Sequence, residues 1–193
     1  MTRPRLILAS ASPRRRDLLS DAGYDVLIAA SDVEEMDSCH EGPEALAAIN
    51  AKRKWNAVAP QYPNEIVVAA DTVVWLDGRF YGKPVDFAEA TEMLTDLSGR
   101  THQVVTGVVL GRAGEGIQEF AEVTWVTFHT LAEDEIAAYL KSIHPLDKAG
   151  AYAAQDDNGR LIAKVDGSIS NVIGLPMEKL GAFLASENYR RQK

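Results

Sequence analysis

The run Ile66-Val67-Val68-Ala69-Ala70 most constrains what this chain can fold into. A continuous apolar stretch this short reads as a buried central strand. It ends at Asp71-Thr72, and apolar residues resume in Val73-Val74-Trp75-Leu76. Asp77-Gly78 is then a strong hairpin turn, closed by Gly82-Lys83-Pro84. Further strands are expected at Leu6 to Leu8, Tyr24 to Ala30, Val104 to Leu110, Ile117 to His129 and Leu161 to Val165. Between them lie helix signatures. Ser12-Pro13 opens one that ends at Gly23, and Gly42-Pro43 opens one that runs through Val58. Asp86 caps a helix to Leu97, which Gly99 terminates. Thr130-Leu131-Ala132-Glu133 reads as a capping box for a helix to about Lys141. Gly174-Leu175-Pro176 starts the last helix, with Met177, Leu180 and Leu184 inward and a frayed tail from Tyr189 to Lys193. Strands and helices interleave around one long antiparallel pair, so the expected class is α/β with a mixed sheet.

Length and charge narrow the functional classes. The 193 residues suit one domain, or two small lobes sharing a cleft. A net charge of -8 argues against long nucleic acid as a partner, while a small anion in a local basic pocket stays compatible. The single cysteine, Cys39, excludes an internal disulfide and a thiolate metal cluster. Its acidic neighbours raise the thiol pKa, so it is not read as a nucleophile. No apolar core of a signal peptide opens the chain and no stretch is long enough to span a bilayer, so the expected location is the cytoplasm.

Chemistry concentrates at a few positions. Ala9-Ser10-Ala11-Ser12-Pro13-Arg14-Arg15-Arg16 joins the first strand to the first helix. Three arginines on the first turn would add guanidinium forks to amides and a helix dipole that already favour an anion. The same stretch taken alone is also ordinary capping beside a solvated basic run. Asp71 reads as a carboxylate at the end of a buried strand: a functional group, or a turn aspartate capping local amides. Glu34 and Glu35 are adjacent, so at most one faces a given cleft. Lys83 sits on a constrained turn, whereas Lys54 has the place of a helix-surface lysine. Gln155 carries the paired donor and acceptor that read a base edge. His102 and His144 lack metal-ligand spacing and read as structural. Gly111-Arg112-Ala113-Gly114-Glu115-Gly116 is not a phosphate loop, because a strand and not a helix follows it.

Taken in order, these blocks resemble the Maf family of nucleoside triphosphate pyrophosphatases. The resemblance rests on Leu8-Ala9-Ser10-Ala11-Ser12-Pro13-Arg14-Arg15, Val33-Glu34-Glu35, Ala69-Ala70-Asp71-Thr72-Val73-Val74 and Gly82-Lys83-Pro84. It continues through Leu97-Ser98-Gly99-Arg100-Thr101-His102, Val105-Thr106-Gly107, Pro145 to Tyr152, Gln155 and Val172-Ile173-Gly174-Leu175-Pro176. It implies an ITPase-like α/β fold over residues 1–193, with two lobes, an elongated mixed sheet flanked by helices and a central cleft. It also implies cleavage of a nucleoside triphosphate between its α- and β-phosphates, dependence on Mg²⁺ or Mn²⁺, and a homodimer. Asp71 falls on the family's proton acceptor. Ser10, Arg14, Arg15, Glu34, Lys54 and Lys83 fall on positions that contact phosphate or metal, with Glu34 and Asp71 as the metal carboxylates. Pro13-Arg14, Thr72 and Gln155 resemble the branch that acts on dTTP and UTP. The alternatives are 7-methyl-GTP specificity, or a nucleotide-sensing regulator of cell division with little turnover. Two departures stand out: Trp55 follows Lys54 where a small residue is usual, and Ala153-Ala154-Gln155-Asp156 replaces Gly-Ile-Gln-Gly.

Overall fold

The computed structural model describes residues 5–190. Seven strands form one sheet: β1 (Arg5–Leu8), β2 (Asp25–Ile28), β3 (Ile66–Leu76), β4 (Arg79–Tyr81), β5 (Thr101–Gly111), β6 (Gln118–Phe128) and β7 (Ile162–Asp166). Their order is β2-β1-β3-β5-β6-β7, with β4 also paired to β3. β1 is parallel to β2 and β3, and the other pairings are antiparallel. The mixed α/β class is therefore as expected. The helices are α1 (Pro13–Asp21), α2 (Pro43–Val58), α3 (Phe87–Leu97), α4 (Glu133–Ser142), α5 (Ile169–Ile173) and α6 (Met177–Arg190). None among the described residues is long and apolar enough to cross a membrane. The tail reading falls partly outside the described residues: α6 runs to Arg190, and 191–193 are not described.

β3 organises the molecule because it is longer than its apolar run. It does not stop at Ala70 but continues through Asp71 and Thr72 to Leu76, and β5 pairs with it from Val67 to Trp75. Its other edge is shared. β1 pairs with Ile66 to Val68, and β4 pairs with Val74 to Leu76. Between these two partners the edge has no ladder, and Asp71 lies in that gap. Asp71 is thus a mid-strand residue and not the strand-end residue expected. Asp77 and Gly78 both take positive φ, 48° and 87°, as a two-residue hairpin turn requires.

The two faces of β3 alternate as pleating demands. Val67, Ala69 and Val73 face α2, whose Leu46, Ala47, Ala51, Trp55 and Val58 are buried against them. Burial of Leu46 and Val58 contributes roughly 2 kcal/mol apiece. On the opposite face, Ile66, Val68 and Ala70 pack with Leu19 of α1 and Leu180 and Leu184 of α6. Further along that same face, Val74 and Leu76 pack with Leu94 of α3 and Ile136 and Leu140 of α4. Two separate cores thus flank Thr72.

Other boundaries moved for local reasons. The second strand is only Asp25–Ile28, on the sheet's outer edge. Ser12 is the N-cap of α1 and Pro13 its first residue, yet the Ser12 side chain makes no cap bond. The expected capping box at Thr130–Glu133 does not form: the N-cap is Ala132, which has no side-chain acceptor, and only its own N–H is satisfied, by Glu135 at 2.8 Å. Asp86 does cap α3, accepting from the Glu89 amide at 2.8 Å. Gly111 to Gly116 joins β5 to β6 as a turn.

Candidate active site

The gap on β3 opens into a cavity of about 900 Å³. Asp71 is 5% exposed and points toward α2. Lys54, on α2, places its Nζ 2.6 Å from Asp71 Oδ1 and 2.7 Å from Glu35 Oε1. The expected helix-surface lysine is 7% exposed. Asn50, one helical turn before it, completes the cluster. Its Nδ2 donates to Asp71 Oδ2 at 3.1 Å and to the Met36 carbonyl at 2.9 Å. Its Oδ1 accepts from the Met36 amide at 2.8 Å. One side chain therefore clamps both main-chain groups of Met36, and that fixes the neighbouring Glu35 over Lys54.

This clamp decides between the two glutamates. Glu35 lines the cavity, not Glu34, so the assignment of Glu34 as a cleft carboxylate is corrected to Glu35. Glu34 is exposed, and its carbonyl accepts from Arg53 at 3.3 Å. Burial opposes ionisation of Glu35, but the Lys54 hydrogen bond and the charges of Lys54, Lys83 and Arg15 outweigh it. They hold its carboxyl below the usual carboxylate range.

The arginines separate. Arg15 is buried: Nε donates to the Gly174 carbonyl at 2.8 Å, one terminal nitrogen to Ser10 Oγ at 2.9 Å and the other to Thr72 Oγ1 at 3.0 Å. Burial lowers its pKa, and the charges of Asp71 and Glu35 oppose that effect. All three acceptors are neutral, so its positive charge remains available to an anion at the cavity wall. Ser10 and Thr72 thereby act on Arg15, and Thr72 also bonds Thr106 at 2.9 Å. Arg14 reaches Asp147, at 3.3 Å from both a carboxylate oxygen and the carbonyl. Arg16 pairs with Asp17 on an exposed face, so only two of the three arginines reach the cavity.

Lys83 also lines the cavity, just beyond β4. Its neighbour Gly82 accepts from the Gly150 amide at 3.0 Å. Gly150 has φ 68°, and a Cβ there would stand 3.2 Å from Val74 and 3.3 Å from the Tyr152 ring. A small adjoining cavity of about 40 Å³ shares Arg14, Thr72, Ala149 and Ile173 with the main one. Val74, Val104, Tyr152 and Gln155 also line it. Gln155 Nε2 donates to Asp156 at 3.1 Å. Neither Ala153 nor Asp156 takes positive φ, so the residues that replace the usual glycines carry no backbone strain.

Asn50 is the site residue that the residue-by-residue reading missed; that reading leaves Glu35 open beside Glu34. The spacing of Asn50 and Lys54 on one helix face was the available signal. Of the residues read as structural, His102 is fully buried and bonds Tyr152 at 2.9 Å. A hydrogen bond to Glu41 raises the Cys39 thiol pKa, as its acidic setting suggested.

The donor chemistry suits a hard divalent cation. Asp71 and Glu35 supply two carboxylates at the cavity. Among the described residues, no group of three or more His, Cys, Asp or Glu could hold a metal by itself. Mg²⁺ characteristically takes one or two carboxylates and completes its shell with water and substrate phosphates.

A mixed sheet broken open at its central strand, with cations and carboxylates around the break, defines an ITPase-like α/β protein. The Staphylococcus aureus Ham1 protein has a similar solved structure, with a TM-score of 0.53 at 16% identity, over 95% of this chain and 99% of that one. The chain belongs to the Maf family, whose model, described as Maf-like protein, matches residues 5–187. Curated relatives include a dTTP/UTP pyrophosphatase of Myxococcus xanthus, 47% identical over 93% of this chain and 90% of that protein. Another, of Symbiobacterium thermophilum, also named dTTP/UTP pyrophosphatase, is 44% identical over 95% of this chain and 94% of that protein.

Proposed function

We propose that this chain is a nucleoside triphosphate pyrophosphatase, which splits dTTP and UTP between the α- and β-phosphates into the monophosphate and pyrophosphate. The observation that carries the reading is the convergence on one cavity of Ser10 from the β1–α1 connection, Arg14 and Arg15 from α1, Lys83 from the segment after β4, and the Lys54-Asp71-Glu35 cluster. The names of the curated relatives support the reaction and the substrate pair.

The residues divide the work by charge. A triphosphate needs neutralisation and positioning more than covalent chemistry. Arg15, rigidly held by three neutral acceptors, presents a fixed fork to phosphate oxygens, and Arg14 and Lys83 add charge at the cavity lining. Water attacks phosphorus at the anhydride, the bridging oxygen leaves with pyrophosphate, and Asp71 accepts the water's proton. Asn50 keeps Asp71 Oδ2 oriented, while Lys54 holds Oδ1. Asp71 and Glu35 are the residues that would hold Mg²⁺ or Mn²⁺, an ion that supplies charge neutralisation and acidifies water. The pocket of about 40 Å³ beside Gln155 is too small for a pyrimidine ring, so the base belongs in the main cavity, on the side lined by Arg14, Thr72, Ala149 and Ile173 that the two pockets share.

A pyrophosphate-release assay with Mg²⁺ or Mn²⁺ against a panel of nucleoside triphosphates tests this. Release from UTP and dTTP, with one monophosphate per pyrophosphate, is expected. Silence with every triphosphate would overturn it in favour of a nucleotide sensor.

A further inference from the structure

We propose that Lys54 is the resident counterion of the two cavity carboxylates, and that it makes divalent-metal binding dependent on the triphosphate. The inference rests on the functional reading above and goes beyond it to the order of assembly.

The geometry is specific. Lys54 Nζ lies within hydrogen-bond distance of one oxygen from Asp71 and one from Glu35. The ammonium is buried and already engages one oxygen of each carboxylate. An ion that draws on those same oxygens has to displace it. The second Asp71 oxygen is also engaged, by Asn50 at 3.1 Å.

Local charge points the same way. Arg15 acts electrostatically on both Asp71 and Glu35, and Lys83 acts on Glu35. With Lys54, three cations act directly on these two carboxylates, so their charge is already compensated before any further cation arrives. A nucleoside triphosphate shifts that balance, because its phosphates bring several negative charges to Arg14, Arg15 and Lys83. The divalent ion then gains phosphate oxygens as ligands, and Lys54 gains an alternative anionic partner. A pair of carboxylates with no buried cation between them would hold a divalent ion more tightly than this pair does. Metal and nucleotide therefore bind with positive coupling, and coupling is reciprocal: each tightens the other by the same factor.

The test is a Mn²⁺ titration of the full chain followed by electron paramagnetic resonance, which counts free Mn²⁺ and needs no turnover. The wild type is titrated with Mn²⁺ alone and with Mn²⁺ plus α,β-methylene-UTP. At least a tenfold gain in Mn²⁺ affinity with the analogue is expected. Lys54→Met should bind Mn²⁺ alone at least tenfold tighter than the wild type, and adding Glu35→Gln to that variant should reverse the gain. Lys54→Gln, which keeps a hydrogen-bond donor, replaces Lys54→Met if the latter does not fold. Equal Mn²⁺ affinity with and without the analogue, or no gain on removing the lysine charge, would overturn the inference. A wild type that releases pyrophosphate yet shows no such coupling defeats this inference alone. A wild type that releases none defeats the functional reading, while the Mn²⁺ titration still reports on Lys54.

Discussion

Replacing Asn50 by alanine removes the clamp that joins the Glu35 segment to β3. Asn50 is 2% exposed and makes three hydrogen bonds, two to the Met36 main chain and one to the Asp71 carboxylate. The two neutral bonds are worth about 1 kcal/mol each and the bond to a charged group about 2 kcal/mol. Water recovers part of this at the half-buried Met36, so a net loss of about 3 kcal/mol is expected. In a domain of this size, that is roughly a 6–12 °C fall in Tm. The functional effect is separable from stability: Glu35 loses its fixed place over Lys54, so KM for UTP should rise even well below the variant's Tm. Asn50→Asp makes the same point more harshly, because it sets a third carboxylate beside Asp71. Urea denaturation and steady-state kinetics read both effects. A loss under 1 kcal/mol with unchanged KM would refute the clamp.

Two further substitutions probe the frame around the site. Gly107 faces Asp71 across β3 and β5, and a Cβ there would lie 2.4 Å from the Ala47 main chain of α2. Gly107→Ala should therefore lift the helix that carries Asn50 and Lys54, costing about 3 kcal/mol in urea denaturation and most of the turnover. His102 is buried, and desolvation lowers its pKa to about 4, against 6.5 in the unfolded chain. The unfolded chain takes up the proton first, so stability should fall as pH drops from 6.5 to about 4, by about 3 kcal/mol in total. Denaturation midpoints at a series of pH values should show that slope in the wild type and a flatter one in His102→Phe.

Much of the frame was legible because local chemistry dictates it. Asp77-Gly78 could only be a tight turn, Ser12-Pro13 could only begin a helix, and Gly111 to Gly116 lacked the following helix that a phosphate cradle needs. The site was less legible because tertiary contacts decide it. Asp71 read as a strand end since a carboxylate interrupts an apolar run. The pairing with β5 carries the strand on, and Lys54 and Asn50 satisfy the charge. The only local signal for Asn50 is its i, i+4 spacing from Lys54: an asparagine within a helix otherwise looks like a surface residue until the Met36 main chain closes on it. The choice between Glu34 and Glu35 depends on that closure, so no local pattern resolves it. Arg15 and Arg16 are adjacent and alike in sequence, yet only Arg15 finds Gly174, Ser10 and Thr72.

Asp71→Asn tests the central claim most directly. The amide keeps the shape and a hydrogen-bonding group beside Lys54 and Asn50 but cannot accept the proton of the attacking water. Pyrophosphate release from UTP should fall at least a thousandfold, while calorimetry without divalent metal should find α,β-methylene-UTP bound within a few-fold of wild type. Turnover at the wild-type rate would remove Asp71 from the chemistry and contradict the account.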